Sequence, residues 1–102
     1  MPSKLAIAYR ATVDAEKDRL ETMTNEELLQ MPDYQSQTVQ MDGRKIFVAT
    51  HHDTSHEGFH AFVVQAEHPI FLFLSTTYIA GFTLNSNQVR EPLPQSVVYE
   101  YS

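Results

Sequence analysis

The chain has 102 residues, 42% of them hydrophobic and none of them cysteine, and its 7 basic and 13 acidic residues give a formal net charge of −6. This length supports one hydrophobic core, and a sequence without cysteine has neither disulfides nor a thiolate zinc site. The negative charge disfavours nucleic acid and anionic membranes as partners, because the basic residues are spread along the chain instead of being clustered.

We expect a single domain, 1–102, in a soluble cytoplasmic protein. The apolar run from Leu5 to Tyr9 is too short for the core of a signal peptide and far too short to cross a bilayer. The N-terminal part, 1–32, has a helical composition, whereas the remainder, 36–102, has the residue types and the periodicity of an antiparallel sheet.

Two helices are predicted before Pro32. The first covers residues 12–23, which contain no glycine or proline and offer Thr12 as an N-cap. Lys17 and Glu21 have the spacing of an ion pair on its exposed side. Its buried side is predicted from residues three or four apart, namely Val13, Glu16, Leu20 and Met23.

A capping box marks the start of the second helix. The Thr24 hydroxyl can accept a hydrogen bond from the Glu27 amide, while the Glu27 carboxylate accepts one from the Thr24 amide. Met23 and Leu28 flank this cap at the spacing of a hydrophobic staple. The helix is short, because the residue before Pro32 avoids helical backbone.

A tight hairpin is predicted at Asp42 and Gly43, because this dipeptide supplies the two positive φ angles of a type I′ turn. The turn fixes the register of the two flanking strands. Val39 then lies opposite Ile46, and one face of the hairpin is apolar.

Strand-forming residues dominate the rest of the chain. Residues 59–66 predict a buried strand that ends before Pro69, and similar residues continue to Leu84. The last segment, 97–101, is either an edge strand or a final helical turn, and we favour the strand. The predicted fold class is α+β, with one or two N-terminal helices packed on a four- to six-stranded antiparallel sheet as a two-layer sandwich.

Four of the five histidines lie between His51 and His60. Within this segment, residues 56–60 read His-Glu-Gly-Phe-His, which resembles the His-Glu-x-x-His motif of zinc hydrolases. On a helix, the resemblance implies His56 and His60 as zinc ligands and Glu57 as the general base. It covers only these five residues.

The context of the motif favours a strand instead. Gly58 would lie inside the helix, no third ligand follows at a familiar spacing, and residues 59–66 are typical of a strand. Histidines four apart on a strand are roughly 13 Å apart. We therefore predict that His56 lies in a loop before the strand and that His56 and His60 share no ion.

A second metal hypothesis is compatible with strands. If residues 44–52 and 59–66 pair as a hairpin, His51 or His52 lies opposite His60, where side chains are about 5 Å apart. With Asp53 or Glu57 nearby, two imidazoles could hold zinc or another divalent metal.

The sequence contains no complete catalytic constellation, and it has more apolar strand residues than two short helices can cover. We therefore expect a non-enzymatic binding or self-associating module without a cofactor, whose partner is a second copy or another protein. Its contact surface is predicted around Ile79, Phe82 and Leu84. The alternative is a zinc-dependent hydrolase that uses His56, Glu57 and His60.

Overall fold

The computed structural model describes residues 3–102, which form helices packed on an antiparallel sheet. In chain order the elements are α1 (Lys4–Glu21), α2 (Asn25–Leu29), β1 (Tyr34–Met41), β2 (Arg44–Asp53), β3 (Phe59–Phe71), β4 (Leu74–Asn85), β5 (Arg90–Pro92) and α3 (Gln95–Tyr101). The strands form one sheet in the order β1-β2-β3-β4-β5. The predicted α+β class is thereby confirmed, with α1 covering one face of the five-stranded sheet.

Helix α1 begins at Lys4, well before the predicted start at Thr12. Ser3 caps it, because the Ser3 Oγ accepts a hydrogen bond from the Ala6 amide at 3.0 Å. Thr12 is instead buried inside the helix, and its hydroxyl donates to the Ala8 carbonyl at 2.7 Å. The predicted start was wrong because nothing before Thr12 breaks a helix and Ser3 is as good a cap as threonine.

The predicted buried side of α1 is largely confirmed. Val13, Glu16 and Leu20 are all buried against the sheet side of the helix. The Lys17 Nζ lies 3.1 Å from the Glu21 carboxylate, so the predicted ion pair is present. Because both side chains are substantially exposed, this ion pair contributes little to stability.

The capping box of α2 is also present. The Thr24 hydroxyl accepts from the Glu27 amide at 3.1 Å, and the Thr24 amide donates to the Glu27 carboxylate at 2.8 Å. The pKa of Glu27 is lowered, first by the hydrogen bond from the Thr24 amide and then by the Thr24 side chain. Leu28 is fully buried behind this cap, which anchors the short helix to the core.

The hairpin of β1 and β2 has the predicted turn and register. Asp42 and Gly43 have φ angles of 52° and 75°, and Val39 pairs with Ile46. The turn therefore puts the apolar residues of both strands on the face covered by α1.

Strand β3 continues through Pro69 to Phe71, past its predicted end. Its pairing with β2 stops at Gln65, so from there on β3 has a neighbour on one side only. Proline is tolerated on such a free edge, where a missing N–H leaves no sheet hydrogen bond unmade. The chain then reverses at Leu72, whose φ is 45°. Residues 66–79 thus form a two-stranded ribbon, which we call the distal hairpin.

The first half of α1 supports the base of the distal hairpin. The Tyr9 ring stacks on the His68 ring at 4.6 Å and on the Tyr78 ring at 6.0 Å. The Arg10 guanidinium donates to the Ile79 carbonyl at 3.0 Å. No comparable support from other described residues is present for residues 70–74, and each of these side chains is at least 60% exposed.

Residues 95–101 form helix α3, the alternative for this segment, instead of the favoured edge strand. Val97 is fully buried and packs against Ala61 and Val63, which alternate with the residues facing α1 and so lie on the opposite face of the sheet. The strand prediction was wrong because it followed the local preference of valine and tyrosine, whereas burial of Val97 on the sheet decides the conformation.

Strands β3 and β4 approach each other very closely at Gly81. A Cβ atom built at this position would lie 2.1 Å from the Phe62 carbonyl oxygen and 3.1 Å from the Leu93 Cδ1 atom. Only glycine fits between the two strands at this position.

Among residues 3–102, no helix is long and apolar enough to span a membrane.

Candidate functional site

The His-Glu-x-x-His residues do not lie on a helix. His56 and Glu57 belong to the loop between β2 and β3, Gly58 has a φ of 89°, and His60 is already part of β3. Residues 59–66 are therefore strand, as predicted. Glu57 is exposed, and the one-turn spacing by which a helix brings His56 and His60 to one zinc ion is not formed.

His60 contacts His52, but not as a directly opposed pair. His52 pairs with Phe62 across the sheet, and His51 pairs with Val63. The prediction that one of them lies directly opposite His60 is therefore wrong, and His60 is the diagonal neighbour of His52. The His52 Nε2 nevertheless lies 2.8 Å from the His60 Nδ1. The register is shifted because β2 and β3 begin their pairing at Asp53, which leaves His60 beyond the end of β2.

The contacts of His52 indicate which of its ring nitrogens carries a proton. The His52 Nδ1 lies 2.9 Å from the Met31 carbonyl oxygen, which can only accept, so His52 donates there. A His52 ring that carries its only proton on Nδ1 has a lone pair on Nε2, which can accept a hydrogen bond from the His60 Nδ1 at 2.8 Å. His52 is only 5% exposed, so its hydrogen bonds are shielded from water. Since Met31 lies between α2 and β1, its contact with His52 attaches this connection to the sheet.

A shallow cleft of about 290 Å³ opens beside this pair and includes His56 and His60 in its lining. The other lining residues are mostly apolar or polar and uncharged, such as Leu29, Leu84 and Asn85. This volume lies at the lower limit of pockets that hold small molecules. The cleft offers no set of convergent charged groups for a substrate.

Asp53, at the end of β2, is the centre of a polar cluster. Its Oδ1 accepts hydrogen bonds from the Ser55 amide at 2.9 Å and from the Ser55 hydroxyl at 2.6 Å. Its Oδ2 accepts one from the Tyr101 hydroxyl at 2.8 Å. Burial favours the neutral carboxyl, but the hydrogen bonds from Ser55 and Tyr101 and the nearby His56 outweigh it and lower the pKa of Asp53 to about 2. Burial and Asp53 together raise the pKa of Tyr101 well above its usual value.

The His56 imidazole lies between two carboxylates. Its Nε2 is 3.3 Å from the Asp53 Oδ2 and 3.5 Å from the Glu100 Oε2, and its ring stacks on Phe59 at 4.9 Å. This nitrogen is buried and has no hydrogen-bond partner among the described residues. Donor atoms of Asp53, His56 and Glu100 all lie within 4.8 Å of one another.

Glu100 and Tyr101 were missed by the sequence prediction. Both lie on α3, which was predicted as a strand, and they reach the loop before β3 only because α3 folds back over the sheet. The alternation Tyr-Glu-Tyr resembles a strand. The signal that could have found them is Pro94, which is compatible with the start of a helix.

The tip of the distal hairpin is a continuous apolar surface. Leu72 is 80% exposed and Phe73 is 100% exposed. Their neighbours Ile70, Phe71 and Leu74 are each more than half exposed. We call residues 70–74 the apolar tip. Single exposed apolar residues are normal in soluble domains, whereas a contiguous group of this kind marks an interaction surface.

The predicted contact surface around Ile79, Phe82 and Leu84 is not available. Phe82 and Leu84 are buried in the core beneath α1, with only 4% and 1% of their surface exposed. Ile79 is partly buried and packs near α3. The location was wrong because the helices cover this part of β4, and the uncovered apolar residues lie at the other end of the strand.

No family model, curated protein or solved structure matches this chain.

Proposed function

We propose that the protein is a binding module that self-associates through the apolar tip of residues 70–74. The observation that carries this proposal is the complete exposure of Phe73 between Leu72 and Leu74. A leucine or phenylalanine side chain has on the order of 150 to 200 Å² of apolar surface, so the tip presents on the order of 600 Å² to its surroundings. Uncovered apolar patches of that size are rare in monomers.

The area of the tip is that of one side of a small dimer interface. A standard interface buries about 800 Å² on each partner, and two tips packed together would approach the lower end of that range. The same apolar residues would be covered on both copies at once, and the contact would be closed by a two-fold axis.

Packing of the tip against another part of a second copy is less favourable. The other exposed large apolar residues of the described chain are scattered singly over its surface, namely Ile7, Tyr34, Phe47, Val89 and Tyr99. If the tip of one copy bound such a residue on a second copy, the tip of the second copy would stay uncovered. Contacts of this kind add further copies and produce open chains. Tip-to-tip packing avoids both problems.

The charges near the tip favour a protein surface over an anionic membrane. Residues 66–79 contain one acidic residue, Glu67, and no lysine or arginine. Apolar loops that insert into anionic membranes gain much of their affinity from neighbouring basic residues. That contribution is missing here.

We infer binding and not hydrolysis as the role of the protein. Glu57 is exposed in a turn, and His60 is engaged by His52, so the three motif residues do not form a zinc hydrolase site with one another. The apolar tip, by contrast, needs no further group to act as an interface.

Sedimentation equilibrium tests the proposal. At tens of micromolar we expect twice the monomer mass of 11.7 kDa for the wild type. The double substitution Leu72→Ser and Phe73→Ser should give the monomer mass with an unchanged far-ultraviolet circular dichroism spectrum, because neither side chain is buried in the monomer. Phe47→Ser is the matched control, since Phe47 is 57% exposed but lies outside the tip, and it should leave the dimer intact.

Two results would overturn the proposal. A wild-type chain that is monomeric at tens of micromolar does not self-associate, and a dimer that survives the double substitution uses another surface. If the wild type is monomeric, co-sedimentation with phosphatidylcholine vesicles that is lost in the tip variant would assign the tip to lipid instead.

A further inference from the structure

We propose that Asp53, His56 and Glu100 form a binding site for a divalent transition metal ion of the zinc class. These ligands differ from those of the His-Glu-x-x-His motif, of which only His56 is shared. They come from the end of β2, the loop before β3 and helix α3, so the site exists only in the folded chain. It is independent of the apolar tip.

Two of the three donor distances match those of a tetrahedral site, and all three donor atoms lie within 4.8 Å of one another. Ligand atoms that lie about 2.0 to 2.2 Å from a zinc ion are separated from one another by about 3.3 to 3.6 Å. The His56 Nε2 lies 3.3 Å from the Asp53 Oδ2 and 3.5 Å from the Glu100 Oε2. An ion could therefore enter between these atoms with little rearrangement of the side chains.

The His56 Nε2 atom faces two carboxylates at ion-pair distance but makes no hydrogen bond to either of them. It is buried from solvent and makes no hydrogen bond to any described residue, although two carboxylate oxygens are nearby. A buried imidazole nitrogen without a partner is costly, and a metal ion would use its lone pair. Stacking on Phe59 holds the ring in this orientation.

Asp53 has the surroundings of a metal ligand. Both of its oxygens accept hydrogen bonds, Oδ1 from the Ser55 amide and hydroxyl and Oδ2 from the Tyr101 hydroxyl. The two Ser55 bonds hold Oδ1 in place, and Oδ2 is the oxygen that lies 3.3 Å from the His56 Nε2. Such outer hydrogen bonds typically accompany ligating carboxylates.

The donor set selects the kind of ion. An imidazole nitrogen favours zinc, cobalt, nickel or copper over calcium and magnesium, which need six or more oxygen ligands. The Glu100 side chain is 49% exposed, so the site faces solvent on that side and leaves room for a water molecule as the fourth ligand.

Binding of zinc would fasten α3 to the sheet. Glu100 is the ligand from α3, while His56 and Asp53 belong to β2 and the loop that follows it. The ion would thus add to the attachments that Val97 makes with Ala61 and Val63 and that Tyr101 makes with Asp53.

Isothermal titration calorimetry with ZnCl₂ tests the site in protein purified without a histidine tag and treated with a chelator. We expect one zinc ion per chain, and a visible absorption spectrum typical of tetrahedral coordination when Co²⁺ replaces zinc. Glu100→Gln keeps the size of an exposed side chain and removes the charged ligand. It should weaken binding by more than the 10- to 100-fold that is typical of losing an outer-shell partner.

His60→Gln distinguishes this site from the motif site, because His60 is not one of the proposed ligands. Binding retained in His60→Gln and lost in both Glu100→Gln and His56→Gln supports the proposal. Binding lost in His60→Gln but retained in Glu100→Gln would place the ion at the motif, and no binding by the wild type would exclude both sites. A thermal melt of each variant checks that it is folded.

Discussion

Gly81→Ala should destabilise the protein through a steric clash alone. The backbone at Gly81 is not in the left-handed region, so alanine could adopt it without strain of its own. Its Cβ atom, however, would lie 2.1 Å from the Phe62 carbonyl oxygen, more than 1 Å closer than the usual contact of about 3.3 Å. Strands β3 and β4 would have to separate at a point where Phe62 is fully buried.

The expected cost follows from this displacement. Overpacking in a rigid core costs about 1 to 3 kcal/mol, and we expect the upper half of that range because the obstructing atom belongs to the backbone. For a domain of this size, each kcal/mol lowers the melting temperature by about 4 to 8 °C. Gly81→Ala should therefore melt roughly 8 to 24 °C below the wild type.

Urea denaturation and a thermal melt, followed by circular dichroism, measure this loss. Leu93→Ala in the Gly81→Ala background is an informative second variant, since it removes the contact at 3.1 Å and leaves the clash with Phe62. We expect it to restore little stability. A Gly81→Ala protein as stable as the wild type would refute the close approach of the two strands.

Four further predictions concern single residues. Gly43→Val forces a β-branched residue to positive φ and should cost about 1 to 3 kcal/mol, and an unchanged urea midpoint would contradict the turn. Thr24→Ala should cost about 1 kcal/mol through loss of the α2 cap, so a more stable variant would contradict the capping box. The pKa of Glu27 is lower in the folded chain than in the unfolded chain. The ionised Glu27 therefore stabilises the fold fully above its unfolded pKa, and this stabilisation is lost as the pH falls through its folded pKa. The difference in unfolding free energy between wild type and Glu27→Gln should accordingly shrink in acid. Tyr101→Phe should raise the pKa of Asp53 from about 2 toward 3.8, as measured by NMR titration of the carboxyl carbon, and an unchanged value would show that the hydrogen bond is absent.

Features encoded by a few adjacent residues could be predicted from the sequence. The capping box at Thr24 and the turn at Gly43 depend on backbone angles and hydrogen bonds within four residues, so the rest of the fold does not alter them. The buried strand 59–66 was also found, because its apolar run between a glycine and a proline has the length of a strand.

Features that depend on distant parts of the chain could not be predicted in this way. Helix α3 forms because Val97 finds a place on the far face of the sheet, against the local preference for a strand. The cluster of His56 and Glu100 depends on that helix and on the register of β2 with β3. The exposure of Phe73 depends on how far α1 extends over the distal hairpin, since Tyr9 of α1 stacks on His68 and residues 70–74 lie beyond that contact.

The two-stranded ribbon of residues 66–79 also implies a gradient of local stability. Below it, β3 and β4 lie between other strands, whereas beyond its base, which Tyr9 and Arg10 contact, the ribbon has only its own cross-strand pairing. Two-stranded hairpins alone are marginal in water. Backbone amides of residues 70–74 should therefore exchange with deuterium through local opening, while those near Phe62 should exchange only through global unfolding. Slow exchange at the tip that depends on protein concentration would show that a second copy supplies the missing protection.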